Sequence, residues 1–236
     1  MKFKSILFSF MLLLGSTAIF GQSIHDVWNT MLQKNVDNKG NVNYRGFHDD
    51  IETLEDYIQT LEQNLPAEQV AKAEFMSFWI NAYNACAIYY VVSNSLQKSI
   101  KEKGSPWDEP IFMEGNNKIA LNNIEHKKLR VLGDPRIHFA INCASVSCPR
   151  LLNRAFYAKN LEMDLAYLTK DFLLDTSKNK FDGVGNAEVS KIFKWFKEDF
   201  EFTDKTLDAF LEKHGPAKEV LDIDFMDYNW DLNGTW

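Results

Sequence analysis

The chain has 236 residues with 18 Phe and 6 Trp, long enough and apolar enough for one sizeable, well-filled core. Its formal charge of −7 argues against nucleic acid or an anionic membrane surface as partner, because both need clustered cations. It has 3 Cys, an odd number, so at least one thiol stays unpaired unless it joins another molecule.

The start reads Met1-Lys2-Phe3-Lys4, then an apolar run over residues 6–14, then Gly15-Ser16-Thr17-Ala18-Ile19-Phe20-Gly21. A basic start, a short apolar stretch and small residues at a cleavage point are the parts of a secretory signal. The run is shorter than the roughly 20 residues a membrane-spanning helix needs, and no cysteine near its end offers a lipid anchor. Cleavage is expected near Gly21, giving a signal peptide at 1–21 and a single globular domain at 22–236. Losing Lys2 and Lys4 takes the charge from −7 to −9. No later segment is apolar enough to cross a membrane, so the expectation is an exported protein, periplasmic or secreted, with no membrane insertion after cleavage.

Beyond the signal, residues 23–33 carry Ile24, Val27, Trp28, Met31 and Leu32 on one helical side. Asn38-Lys39-Gly40-Asn41 is a turn and Val42-Asn43-Tyr44 a short extended piece. Residues 51–65 form a second helical stripe, ended by Pro66. Residues 67–93 predict the most apolar helix, crossed by a polar line of Glu74, Ser77, Asn81 and Asn84 at alternating spacings of three and four. A helix apolar almost all round is buried, and a polar line on it must find partners. Asn81 and Asn84 therefore either brace a site or face water. Cys86, between Ala85 and Ala87, reads as a small buried hydrophobe.

Further on, Gly104-Ser105-Pro106-Trp107 is a loop, residues 118–121 suit a short strand, and residues 122–132 read as a helix carrying Glu125 and His126. Residues 136–142 look like a buried strand, and Pro149 suits the first turn of a further helix. Residues 161–174 and 191–200 are amphipathic helices, with a turn at Gly183-Val184-Gly185-Asn186 between them, and residues 221–230 suit a last strand. The expected fold is α+β: a helix-rich single domain with a small sheet.

The chemistry concentrates in His138-Phe139-Ala140-Ile141-Asn142-Cys143-Ala144-Ser145-Val146-Ser147-Cys148-Pro149. On the strand reading, His138, Ala140 and Asn142 share one face. On the helix reading, Cys148 sits at a helix start, where free N–H groups and the dipole stabilise a thiolate. Four roles stay open. One cysteine is a nucleophile, with His126 or His138 as base and Glu125 or Asn81 to orient it. Both histidines precede the cysteines, so a papain-like arrangement would have to be distant or permuted. Alternatively Cys143 and Cys148 form a disulfide, structural or redox-active. The same two with His126 and His138 make a weak metal signal, since their gaps are wider than the usual spacing. Last, the loop is simply packed with inert thiols.

These segments resemble the family known as domain of unknown function 547. The matching stretches are Phe78-Trp79-Ile80-Asn81-Ala82-Tyr83-Asn84-Ala85, Asn123-Ile124-Glu125-His126 with Leu129-Arg130, Asp134-Pro135-Arg136-Ile137-His138-Phe139-Ala140-Ile141-Asn142-Cys143, Ser147-Cys148-Pro149 and Lys191-Ile192-Phe193-Lys194-Trp195-Phe196. The tail Tyr228-Asn229-Trp230 is similar too. The resemblance implies an exported bacterial version of a domain also found in plants, with no established activity, substrate or cofactor. It places Asn81, Asn84, Glu125, His126, His138, Cys143 and Cys148 inside the matching motifs.

The expectation drawn from all this is a cysteine-dependent hydrolase or acyltransferase of the cell envelope, acting on an amide or thioester of a small-molecule or peptide-like substrate. Its catalytic candidates are Cys143, Cys148, His126, His138, Glu125 and Asn81, with Asn84, Asn142, Ser147 and Arg136 as binding candidates and no cofactor or metal. The competing expectation is a non-catalytic binding or structural domain whose polar cluster locks the core.

Overall fold

A computed structural model describes residues 23–67 and 69–236; the expected signal segment lies outside the described residues. Helix α1 (Asp26–Asn35) buries Trp28, Met31 and Leu32, the face its periodicity predicts. Strand β1 (Val42–Asn43) leads into α2 (Tyr44–Asp49), capped by the Asn43 side chain, and α3 (Ile51–Gln63) buries Leu54, Tyr57, Ile58 and Leu61. At the centre lies α4 (Lys72–Ser93), whose residues are buried nearly without a break from Met76 to Val92. It packs against α2, α3 and the segments that follow it.

Strands β2 (Phe112–Glu114) and β3 (Asn117–Ile119) form a hairpin. Helix α5 (Leu121–Ile124) runs directly into a π-helical turn, Glu125–Leu129, and a tight turn, Arg130–Leu132. Helix α6 (Leu161–Leu174) precedes β4 (Lys180–Phe181) and β5 (Asn186–Val189). Then come α7 (Lys191–Trp195), α8 (Lys197–Asp204), α9 (Leu207–His214), β6 (Asp222–Phe225) and β7 (Gly234–Thr235). Strand β5 pairs antiparallel with β4 and parallel with β6, and β1 pairs parallel with β7, so that the C-terminal residues meet the segment after α1. The architecture is α+β, with small sheets set around a helical core.

Three local expectations are corrected. Residues 136–142 are not a strand: Pro135–Phe139 is a 3₁₀ turn, because Pro135 fixes its first position and the Asp134 carboxylate caps the Arg136 N–H. No helix opens at Pro149, since the chain stays irregular until Ala158–Asn160, so Cys148 has no helix start beside it. Proline tolerates a first helical position but does not create one. The helix expected over residues 191–200 breaks at Phe196 into α7 and α8.

Candidate functional site

The polar line on α4 holds the site from beneath. The Asn84 amide donates to the Ala140 carbonyl at 3.0 Å and accepts the Asn142 N–H at 2.8 Å. One helical turn earlier, the Asn81 amide donates to the Phe156 carbonyl at 2.8 Å and accepts the Phe156 N–H at 2.9 Å. Both side chains are buried, so each satisfies two backbone groups that no water reaches. Asn142 extends the brace: its amide donates to the Pro149 carbonyl at 2.7 Å, and its oxygen accepts the Ala144 N–H at 2.8 Å. The segment between is thereby closed into a tight loop, with Ala144 in the left-handed region at φ 60°.

That loop carries a disulfide between Cys143 and Cys148, their Cα atoms 6.2 Å apart. Cys148 is buried and Cys143 is half-buried. The Cys148 sulfur accepts two hydrogen bonds, from the Cys143 N–H at 2.9 Å and from the Tyr228 hydroxyl at 3.2 Å. Ser145 donates to the Tyr228 hydroxyl in turn, at 3.2 Å. Tyr228 arrives on the C-terminal tail, which is fixed to the loop by the Val146 and Ser147 N–H groups donating to the Asp231 and Asn229 carbonyls.

Cys143, Cys148 and Tyr228 line a cavity of about 450 Å³. A second wall carries titratable groups. Glu125 and His126 stand at the start of the π-helical turn, a local geometry that often marks functional positions. Buried His138 stacks on Phe196, ring centroids 4.0 Å apart. Its Nε2 lies 2.7 Å from the Asp199 carboxylate, which also accepts from Arg130 Nε and Nη2 at 2.6 and 2.8 Å. Burial would lift the Asp199 pKa, but the hydrogen bonds and charges of His138 and Arg130 hold it well below the ordinary range. Asp199 is therefore an anion and His138 Nε2 its donor, which leaves Nδ1 as an acceptor 3.7 Å from the Glu125 carboxyl. Burial keeps His138 neutral by lowering its pKa. Burial also pushes Glu125 up to about 7, with Asp199 adding to the rise and Arg130 opposing it. His126 accepts from Arg130 at 2.6 Å, and burial followed by the Arg130 charge lowers its pKa.

The third wall is aromatic. Trp195 and Tyr228 have ring centroids 4.8 Å apart, and Trp230 stacks on Trp195 at 5.6 Å and meets Trp107 edge-on at 5.5 Å. Glu125, His126, His138, Cys143 and Cys148, all within residues 125–148, thus line one cavity. The other candidates do not enter it. Asn81, Asn84 and Asn142 spend their amides on backbone, and Ser147 accepts the Asn229 N–H. Arg136 points away from the cavity, paired with Asp134 and Glu162. Lys101, Trp107, Trp195, Tyr228 and Trp230 line the cavity, and Asp199 backs His138, without having been candidates; the family-like stretches at 191–196 and 228–230 carried a signal for Trp195, Tyr228 and Trp230, whereas no local spacing marks Asp199, Lys101 or Trp107. Cys86 is a buried thiol whose pKa burial raises, in keeping with a packing role. Among the described residues, no group of three or more His, Cys, Asp or Glu is placed to hold a metal, and no helix is long and apolar enough to cross a membrane.

The family described as "Protein of unknown function, DUF547" matches residues 67–173, a span that includes α4, the π-helical turn and both loop cysteines. The similar stretches at 191–196 and 228–230 lie beyond that span. No curated protein and no solved structure matches the chain.

Proposed function

Taking as premise that the chain belongs to the DUF547 family through residues 67–173, we propose that it is an exported thiol enzyme in which Cys143 is the sulfur that meets substrate. The observation that carries this is the disulfide in the cavity wall, with its Cys143 sulfur half-buried beside Ser145 Oγ at 3.1 Å and the Tyr228 hydroxyl at 3.3 Å, and its Cys148 sulfur buried with donors from the Cys143 N–H and the Tyr228 hydroxyl. In the exchange step an incoming thiolate attacks the half-buried Cys143 sulfur. A new S–S bond forms to Cys143, the Cys143–Cys148 bond breaks, and Cys148 leaves as a thiolate. The Cys143 N–H and the Tyr228 hydroxyl stabilise that anion, as the expected helix start would have done. Glu125 has the acidity to give up or take a proton near neutral pH from the same cavity. An oxidising compartment outside the cytoplasm suits such a couple.

A second reading concerns the reduced form. His138 and Glu125 share the cavity with Cys143, and Asp199 backs His138 from outside it, which favours acyl transfer from an amide or thioester to the free Cys143 thiolate. Both readings need a reactive Cys143 in the folded protein.

The test is trapping with oxidised glutathione. Cys148→Ser leaves Cys143 without its resolving partner, so the folded variant should accumulate one mixed disulfide at Cys143, at a rate at least about tenfold above that of a free cysteine peptide. Cys143→Ser should give no adduct. Adducts that form only after unfolding would end the proposal, and the loop would be structural. A burst of thiol release from a thioester by the reduced chain, lost in Cys143→Ser, would select the acyl-transfer reading.

A further inference from the structure

At the mouth of the cavity, Lys101 lies over the Trp230 ring with its ammonium 3.1 Å from the ring centroid, and 5.7 Å from that of Trp107. The two indoles fix the position of the charge. Desolvation by its surroundings lowers its pKa. Among the described residues, none of the ion pairs involves Lys101. Among the described residues, its ammonium also has no hydrogen-bond acceptor, so its three N–H donors are open to a ligand. Within the cavity lining, Lys101 is the standing cation and Glu125 the one carboxyl, which burial keeps partly protonated at neutral pH. Trp195 continues the aromatic surface from Trp230 toward the disulfide and is 46% exposed, a large apolar face left open.

We infer that the cavity takes a carboxylate-bearing molecule, its anion on Lys101 and its apolar or aromatic body against Trp230 and Trp195, with the reactive bond toward Cys143. The inference rests on the proposed role of Cys143 for that last clause; the anion site and the aromatic surface stand without it. The carboxylate can come from a free organic acid or from a peptide C terminus, since both present the same group.

Two measurements decide it. The first uses a Cys148→Ser background with Cys143 reduced, and compares the rates of a carboxylate-bearing aromatic disulfide, dithiobis-nitrobenzoate, and an uncharged one, dithiodipyridine. Lys101→Met should slow the carboxylate reagent about fivefold, the scale of one partly solvated charge pair, and leave the uncharged reagent alone. Lys101→Arg should restore the rate. Equal changes in both rates, or none, would overturn the inference. The second needs no sulfur chemistry: tryptophan fluorescence of the full chain titrated with phenylpropionate and with its amide. Quenching by the acid but not the amide, lost in Lys101→Met, supports the anion site; equal quenching by both overturns it. If Cys143 reacts with neither disulfide, the thiol-enzyme reading falls and the titration alone judges the anion site. A dipeptide ending in Phe, free or amidated at its C terminus, titrated in the same way, separates the two sources.

Discussion

Glu125 sits where a carboxylate is disfavoured: it is buried, its neighbour His138 is neutral, and the Asp199 anion lies beyond that ring. Its pKa rises from 4.5 to about 7, mainly through burial. A raised carboxyl pKa means that the folded chain holds the proton more tightly than the unfolded one between those values. Stability contributed by this group is therefore present below about 4.5 and is lost as pH rises through about 7. The loss amounts to about 2–3 kcal/mol once Glu125 is ionised. Glu125→Gln keeps the shape and removes the charge, so it should stabilise the protein by roughly 2 kcal/mol more at pH 8 than at pH 5. Denaturant unfolding at the two pH values measures the difference, and an equal effect at both would show that Glu125 ionises normally. Asp199 has the opposite sign. Held far below its ordinary value by His138 and Arg130, it adds stability above its unfolded pKa of about 4, lost only in strong acid. Asp199→Asn should lower stability by about 2–4 kcal/mol at pH 7, because His138 and Arg130 lose their shared anion.

Between elements, the two asparagines of α4 make separable predictions. Asn84 pins the backbone next to Cys143, whereas Asn81 pins Phe156, away from the loop. Alanine at either position leaves one buried N–H and one buried carbonyl unpaired, a loss of about 2–4 kcal/mol. Only Asn84→Ala should also change the alkylation rate of Cys143 in the reduced, folded protein. Matching changes from both variants would mean that the loop responds to global loosening rather than to its own brace. The buried polar line was legible in the sequence because helical spacing on an otherwise apolar helix leaves few alternatives. The run Ile137-His138-Phe139-Ala140-Ile141 misled because a short apolar stretch fits a strand and a buried helical turn equally well. Pro135, two residues before its first residue, carried the information that decides for the turn. Glu125, His126, His138 and the cysteine pair were legible as site residues by their chemistry. Asp199 was not, and Tyr228 was legible only through the family-like tail, because each joins the site from more than sixty residues away in sequence, through packing of the tail and of α8.

At the scale of the whole molecule, the cavity depends on where the C-terminal tail lies. The tail bonds to the disulfide loop through Asn229 and Asp231, and to the segment before Lys101 through the Leu232 N–H donating to Lys98. The Ser99 hydroxyl donates to the Trp230 carbonyl at 2.7 Å. Its far end is held by β7 against β1, with Gly234 opposite Val42. A Cβ on Gly234 would come within 1.9 Å of the Val42 carbonyl oxygen, so any side chain there forces the two strands apart. Gly234→Ala should therefore destabilise the protein by about 1–3 kcal/mol. It should also alter Cys143 reactivity and tryptophan fluorescence, since Tyr228, Trp230 and the donor on Cys148 move with the tail. Gly183→Ala is the control: it sits at φ 79° with nothing within 4 Å of its Cβ, in the turn between β4 and β5. It should cost about 1 kcal/mol of backbone strain and leave Cys143 unchanged. If Gly234→Ala lost stability yet left the Cys143 rate at the wild-type value, the tail would clasp β1 alone, and the cavity would owe its shape to the loop and the π-helical turn.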